Sequence, residues 1–158
     1  MQLKENRVFL DTNVLINDFF FRNPKYIKIN SKDYLPCYET IKFLKKNKNK
    51  YKIFVSSHSI ARFISLLNDK KVPKSISISE IKILLNSYEI VNLTKTLIEK
   101  VVTEFEHKEL VKDLEDAFQY QVSSSNGCLY LFTINTKDFK NFLNVKVLHP
   151  KNYRTINY

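Results

Sequence analysis

The chain has 158 residues, 44% of them hydrophobic, with twelve Phe and nine Tyr, which is enough to bury one ordinary core and points to a single domain over 1–158. A net charge of +10 makes a polyanion a natural partner, although abundant Lys, Asn and Ile with one Gly and no Trp is also what an AT-rich genome writes into any protein. No apolar run approaches the ~20 residues of a membrane helix and no basic-plus-apolar leader opens the chain, so a cytoplasmic protein away from membranes is expected. Cys37 and Cys128 stand far apart without metal-type spacing and read as reduced packing residues.

Met1 to Arg7 is a polar lead-in, and Val8-Phe9-Leu10 is the continuous apolar run of a buried parallel strand. Asp11-Thr12-Asn13 then turns into a helix over about Val14 to Phe21. An acid just past the carboxyl end of a strand is where α/β folds gather their chemistry, and an acid just before a helix equally caps its first N–H groups. Asp11 fits both descriptions, and this stretch does not choose between them. Phe19, Phe20 and Phe21 read as core or interface contacts, and Asn23-Pro24 ends the helix.

Ser31 to Lys50 reads as a helix contributing Tyr38, Ile41, Phe43 and Leu44, with a basic tail over Lys45 to Lys50 that suits a solvated face. Lys52 to Ser56 is a second buried strand. It leads into a helix from about His58 to Asn68 whose apolar set covers more than one narrow stripe. Val72-Pro73 breaks the chain, Ser75 to Ser79 cap a helix through about Ser87, and Glu89 to Leu93 is a short strand or an extended connector. Thr94 opens a helix carrying Leu97, Val101, Val102 and Phe105. Strands alternating with helices imply βαβ units, hence an α/β fold with a parallel sheet and helices on both faces.

The second stretch rich in acids is Asp113-Leu114-Glu115-Asp116-Ala117-Phe118-Gln119-Tyr120. Helical spacing puts Leu114, Ala117, Phe118 and Val122 on one face and Asp113, Asp116 and Tyr120 on another. First-turn acids complement the helix dipole, yet three carboxylates in four positions exceed what a dipole needs, and a bound cation would relieve their repulsion. Gly127 falls where a left-handed helix end is wanted. Leu129 to Thr133 is the next strand, and Asp138 again follows a strand end, accompanied by Thr133 and Asn135, whose short polar side chains can orient carboxylates. Asn144 to Leu148 reads as the last strand and Pro150 to Tyr158 as a terminal helix or tail.

Phe9-Leu10-Asp11-Thr12-Asn13-Val14-Leu15, Leu114-Glu115-Asp116-Ala117 and Phe132-Thr133-Ile134-Asn135-Thr136-Lys137-Asp138-Phe139, in that order and spacing, resemble the PIN domain, most closely its compact prokaryotic members, including VapC-type toxins. The resemblance implies a three-layer α/β/α sandwich around a mostly parallel sheet. It makes Asp11, Asp116 and Asp138 the acids of a Mg²⁺ or Mn²⁺ site, with Asn13, Thr133 and Asn135 as polar supports. It further implies cleavage of RNA, an antitoxin protein partner that occludes the groove, and a homodimer. The residue types suit that chemistry, since Mg²⁺ keeps several waters and is held by one or two carboxylates plus substrate phosphate.

The family pattern places a Glu on the helix after the second strand, where this chain has Arg62. Two readings follow. Either Glu115 or Asp113 completes the cluster, or one ion suffices, and the chain is a nuclease with Arg62 and His58 as substrate contacts; or Arg62 pairs with an acid and the chain is a degenerate module that binds RNA or a protein. Tyr120 reads as structural rather than as a stacking surface. His107 and His149 show no constellation, and no His is assigned to a metal.

Overall fold

The computed structural model describes residues 6–27, 31–106, 113–140 and 143–157. Five strands form one parallel sheet in the order β3-β2-β1-β4-β5: β1 (Asn6–Leu10), β2 (Tyr51–Ser56), β3 (Glu89–Val91), β4 (Tyr130–Phe132) and β5 (Lys146–Leu148). The connections run through α1 (Thr12–Arg22), α2 (Tyr34–Lys46), α3 (Ser57–Asp69), α4 (Lys74–Ser87), α5 (Lys95–Glu106) and α6 (Leu114–Ser125). The strand and helix alternation expected from the sequence is present, and the fold is the α/β/α sandwich.

Three successive side chains of β1 explain why helices lie on both faces. Val8, Phe9 and Leu10 are all fully buried, and alternation along a strand sends neighbours to opposite sides. Val8 and Leu10 join the larger core with Val14, Phe19, Leu44 and Phe63. Phe9 joins the other with Phe54, Tyr120, Val122 and Leu131. A strand buried on both faces has no room for polar residues until it ends, which is where Asp11 comes.

Several boundaries differ from the sequence reading. α1 starts at Thr12 rather than Val14, because Asp11 caps it directly. α2 is shorter than expected at both ends, beginning at Tyr34. α4 begins at Lys74, with Pro73 rather than a serine ahead of its first turn and no side-chain cap. Glu89–Val91 is a strand paired with β2, and the C-terminal stretch Pro150–Asn157 is a 3-10 helix. The face of α6 that carries Leu114, Ala117, Phe118 and Val122 is only partly buried. Leu114 is exposed, whereas Asp116, Gln119, Tyr120, Gln121 and Ser123 are buried, because the helix lays a polar stripe under the sheet edge. The Tyr120 oxygen accepts from the Asn144 N–H at 2.8 Å, a structural task. Gly127 has φ +63°, the left-handed conformation that a residue without Cβ takes without strain. His107 and Tyr158 lie outside the described residues.

Strand order places the site. From β1 the chain moves one way to β2 and β3, then crosses to the other side of β1 with β4 and β5, so the order reverses between β1 and β4. In open α/β sheets a crevice opens at the carboxyl ends of the strands flanking such a reversal. The Asp11 N–H bonds to the Phe132 carbonyl at 3.0 Å and the Thr133 N–H to the Leu148 carbonyl at 3.1 Å, so Asp11 and Thr133 sit side by side at that crevice.

Candidate active site

Asp11 is 3% exposed and its two oxygens are used differently. Oδ1 accepts from the Thr12 N–H at 2.6 Å, so the cap role allowed by the sequence is real. Oδ2 accepts from Asn13 Nδ2 and from the Thr133 hydroxyl, each at 2.7 Å. Thr133 Oγ1 in turn accepts from Asn13 Nδ2 at 3.0 Å and from the Asn135 N–H at 3.1 Å, while Asn13 Oδ1 accepts from the Ile134 N–H at 3.2 Å. Asn13 and Thr133 thus clamp the carboxylate between α1 and the end of β4. Asn135 contributes its backbone, and its side chain is exposed. Burial, opposed by the bonds from Thr133 and Thr12 and joined by the charge of Glu115, lifts the Asp11 carboxyl to about 6.

Asp116, in the first turn of α6, is 7% exposed. Its carboxyl is pushed up to about 7, by burial first and then by the charges of Asp11, Asp113, Asp138 and Glu115. Among the described residues no donor and no cation meets this carboxylate. Asp138 lies exposed in the 3-10 turn Thr136–Phe139 and is near enough for its charge to act on Asp116. The three acids therefore share one electrostatic neighbourhood.

The other two acids are occupied elsewhere. Asp113 caps α6, its Oδ1 accepting from the Glu115 N–H at 2.8 Å. Glu115 holds His58 Nε2 at 3.3 Å on one oxygen and Arg62 Nη1 at 3.2 Å on the other. The Arg62 guanidinium therefore rests on Glu115 at the rim.

Among the described residues no three His, Cys, Asp or Glu side chains form a ready-made cage for a bare ion. What is present suits a hydrated one, since Asp11 is rigidly clamped and Asp116 offers a carboxylate with no partner among the described residues, in the field of four other acids. Hard divalent cations take one or two carboxylates and keep their remaining waters. The residues fit such an ion.

Two features escaped the sequence reading. Gln119, 1% exposed, donates through Nε2 to Thr12 Oγ1 and Ser59 Oγ at 2.9 Å each and accepts at Oε1 from the Ser56 hydroxyl at 3.0 Å. Ser59 Oγ lies 2.8 Å from Thr12 Oγ1 and 2.9 Å from Ser56 Oγ. Each hydroxyl has one proton, and Ser56 spends its own on Gln119. The donors therefore run Thr12 to Ser59 to Ser56 to Gln119 and back to Thr12, a closed loop beneath Asp11 and Asp116 that ties α1, β2, α3 and α6 together. The signal in the sequence is an amide one helical turn after Asp116. The second feature is His149, which is paired with Asp33 at 3.3 Å. It lines a cleft of about 540 Å³ with Lys32, Lys137, Lys151 and Asp138, and so does belong to a constellation.

With this geometry, the comparisons with known proteins become specific. The family model described as PIN domain matches residues 8–145. The chain belongs to the PIN domain family. Ribonuclease VapC1 of Aquifex aeolicus is 30% identical to this PIN domain over 139 residues, covering 87% of this chain and 86% of that protein, so the chain is a homologue of a VapC ribonuclease. Among solved structures, VapBC2 of Rickettsia felis bound to a DNA fragment from its promoter matches with a TM-score of 0.63 at 23% identity, over 90% of this chain and 98% of the other. VapBC-1 of nontypeable Haemophilus influenzae matches with a TM-score of 0.62 at 18% identity, over 91% and 98%. At these identities the structural likeness speaks for the fold. No described helix is long and apolar enough to cross a membrane.

Proposed function

We propose that this PIN domain is an endoribonuclease dependent on a divalent cation, Mg²⁺ or Mn²⁺, and acts in the cytoplasm as the toxin of a toxin–antitoxin pair. Asp116 carries the reading. A carboxylate on a largely buried residue, with no donor of its own among the described residues and four other acids acting on it, is costly to keep charged, and an incoming cation removes that cost. Homology to a VapC ribonuclease supports the activity, and likeness to folds seen in VapBC assemblies supports an antitoxin partner.

In this reading Asp11, Asp116 and Asp138 hold the ion, and Asn13 and Thr133 keep the Asp11 carboxylate from turning away. Bound there, such an ion would supply the means to activate a water for attack on a phosphodiester and to offset charge on the leaving oxygen. Lys32, Lys137 and Lys151, in the cleft shared with Asp138, attract the flanking phosphates. The experiment is cleavage of single-stranded RNA with Mn²⁺ or Mg²⁺ and with chelator. Cleavage should vanish with chelator and in Asp11→Asn and Asp138→Asn. Equal residual cleavage in both variants would expose a contaminating nuclease and overturn the reading.

A second reading, a degenerate PIN domain that only binds RNA or protein, is favoured by the Arg62–Glu115 ion pair, which removes one acid from the cluster. It predicts no Mn²⁺ uptake by calorimetry, whereas the enzyme reading predicts uptake that Asp116→Asn abolishes.

A further inference from the structure

Next to Glu115, residues of α3, α5 and α6 and of the segment before α5 line a further cleft of about 340 Å³. Its walls are Leu93, Ile98, Leu114 and Phe118, with His58 and Glu115 at the mouth. Leu114 is 52% and Ile98 39% exposed, so apolar surface is left open to water where a burying partner would be expected. The volume lies at the small end of the ~300–1,000 Å³ range of small-ligand sites.

We propose that this cleft receives one unpaired nucleobase of the RNA strand whose phosphate lies at Asp11 and Asp116. The inference rests on the nuclease reading for where the strand lies. Three observations favour a base over a protein side chain. The cleft shares Glu115 with the acid neighbourhood, since Glu115 lines it and directly precedes Asp116 in α6, which sets the cleft next to the acids. The mouth carries hydrogen-bonding groups on otherwise apolar walls, the Glu115 carboxylate and the His58 ring, which matches a flat ring with polar edges better than an aliphatic chain. Arg62, 57% exposed by side chain and already docked on Glu115, stands at the same mouth, where the backbone phosphate of a flipped-out nucleotide would pass. Unstacked bases of single-stranded RNA are commonly received on aromatic and apolar surfaces of this kind, and here Phe118 supplies the ring.

The test uses a 2′-O-methyl RNA decamer of mixed sequence, checked on a gel to stay intact through the measurement, and a set in which each position in turn lacks its base. Binding is followed by fluorescence anisotropy in Mg²⁺. The wild-type protein should lose about tenfold in affinity when one particular position is abasic, in line with one stacked base. In Phe118→Ala that position should become indifferent to the missing base, while the other positions keep their wild-type profile. Phe118→Tyr should restore the dependence, and matching thermal melts establish that the variants fold. A uniform loss in Phe118→Ala, or none, overturns the proposal. So does an unchanged abasic profile combined with weakened binding of an antitoxin protein, which would assign the cleft to that partner. A chain that shows the base dependence yet never cuts RNA would overturn the nuclease reading and keep the cleft, and one that cuts RNA without the dependence would do the reverse.

Discussion

Two groups of buried acids lie along α1, and they are resolved in opposite ways. Within the helix, Asp18 and, from α4, Glu80 are each 7% exposed, and Arg22 meets both. Its Nη1 and Nη2 reach the two oxygens of Glu80 at 2.8 Å each, and Nε and Nη2 reach Asp18 Oδ2 at 3.1 and 2.9 Å. At the start of the same helix, Asp11 is held only by neutral donors, and Asp116 by none among the described residues. Burial is similar, and the difference is the matched guanidinium. Where the protein supplies the cation, the acids fasten α1 to α4; at Asp11 and Asp116 no described cation plays that part.

The sharpest way to break that contrast is to neutralise one acid at each place. Asp116→Asn should lower RNA cleavage by roughly 10³-fold, the several kcal/mol of charge stabilisation a metal site contributes, while the metal-free protein melts at or above the wild-type temperature. Arg22→Met should do the reverse. Removing the cation strands two buried carboxylates, at a cost of about 3 kcal/mol in urea unfolding, with cleavage per folded molecule unchanged. Thr133→Val keeps the shape but removes the hydroxyl that donates to Asp11, and should reduce cleavage or Mn²⁺ affinity by about 10- to 100-fold.

The pH dependence of the metal-free protein sharpens the same point. Asp11 at about 6 and Asp116 at about 7 both lie above the 3.8 of an unperturbed Asp, so between these values the folded chain holds protons that the unfolded chain has released. The stability this provides is full below 3.8 and is lost as pH rises through 6 and then 7. Melting temperature should therefore fall between pH 5 and pH 8 by roughly 3–6 °C, corresponding to about 1–2 kcal/mol once solvent screening is counted. Asp116→Asn should flatten the fall, and Mg²⁺ at pH 8 should reverse it. The smallest effect belongs to Arg62→Ala. Its pair with Glu115 is largely exposed, so stability should change by less than ~1 kcal/mol. A gain in cleavage would show that Arg62 restrains the site.

Local signals in the sequence were enough for the strand that ends at Leu10, the acid that follows it, the acid-rich start of α6 and the glycine that ends it, because each is written in consecutive residues. Asp11 caps α1 through Oδ1, as an acid before a helix can, and its Oδ2 is clamped by Asn13 and Thr133. What depends on residues far apart in the chain was hidden. That Arg62 pairs with an acid was one of the two readings, but which acid was not legible, and the structure shows Arg62 and His58 both docked on Glu115. Gln119 gave little sign of its buried partners on α1, β2 and α3. Helical periodicity groups Leu114 with Ala117 and Val122 on one face of α6, but only the latter two are buried, and Asp116, Gln119 and Gln121 are buried beside them.

The closed loop through Thr12, Ser59, Ser56 and Gln119 has a direction as well as a membership. Its protons circulate one way, so replacing any one member leaves its neighbours with a mismatched donor or acceptor in a dry place. Variation at these four positions should then be concerted, with the whole quartet exchanged for another self-consistent set or kept intact. Single replacements should surface as misfolding in the cell well before they register as altered specificity.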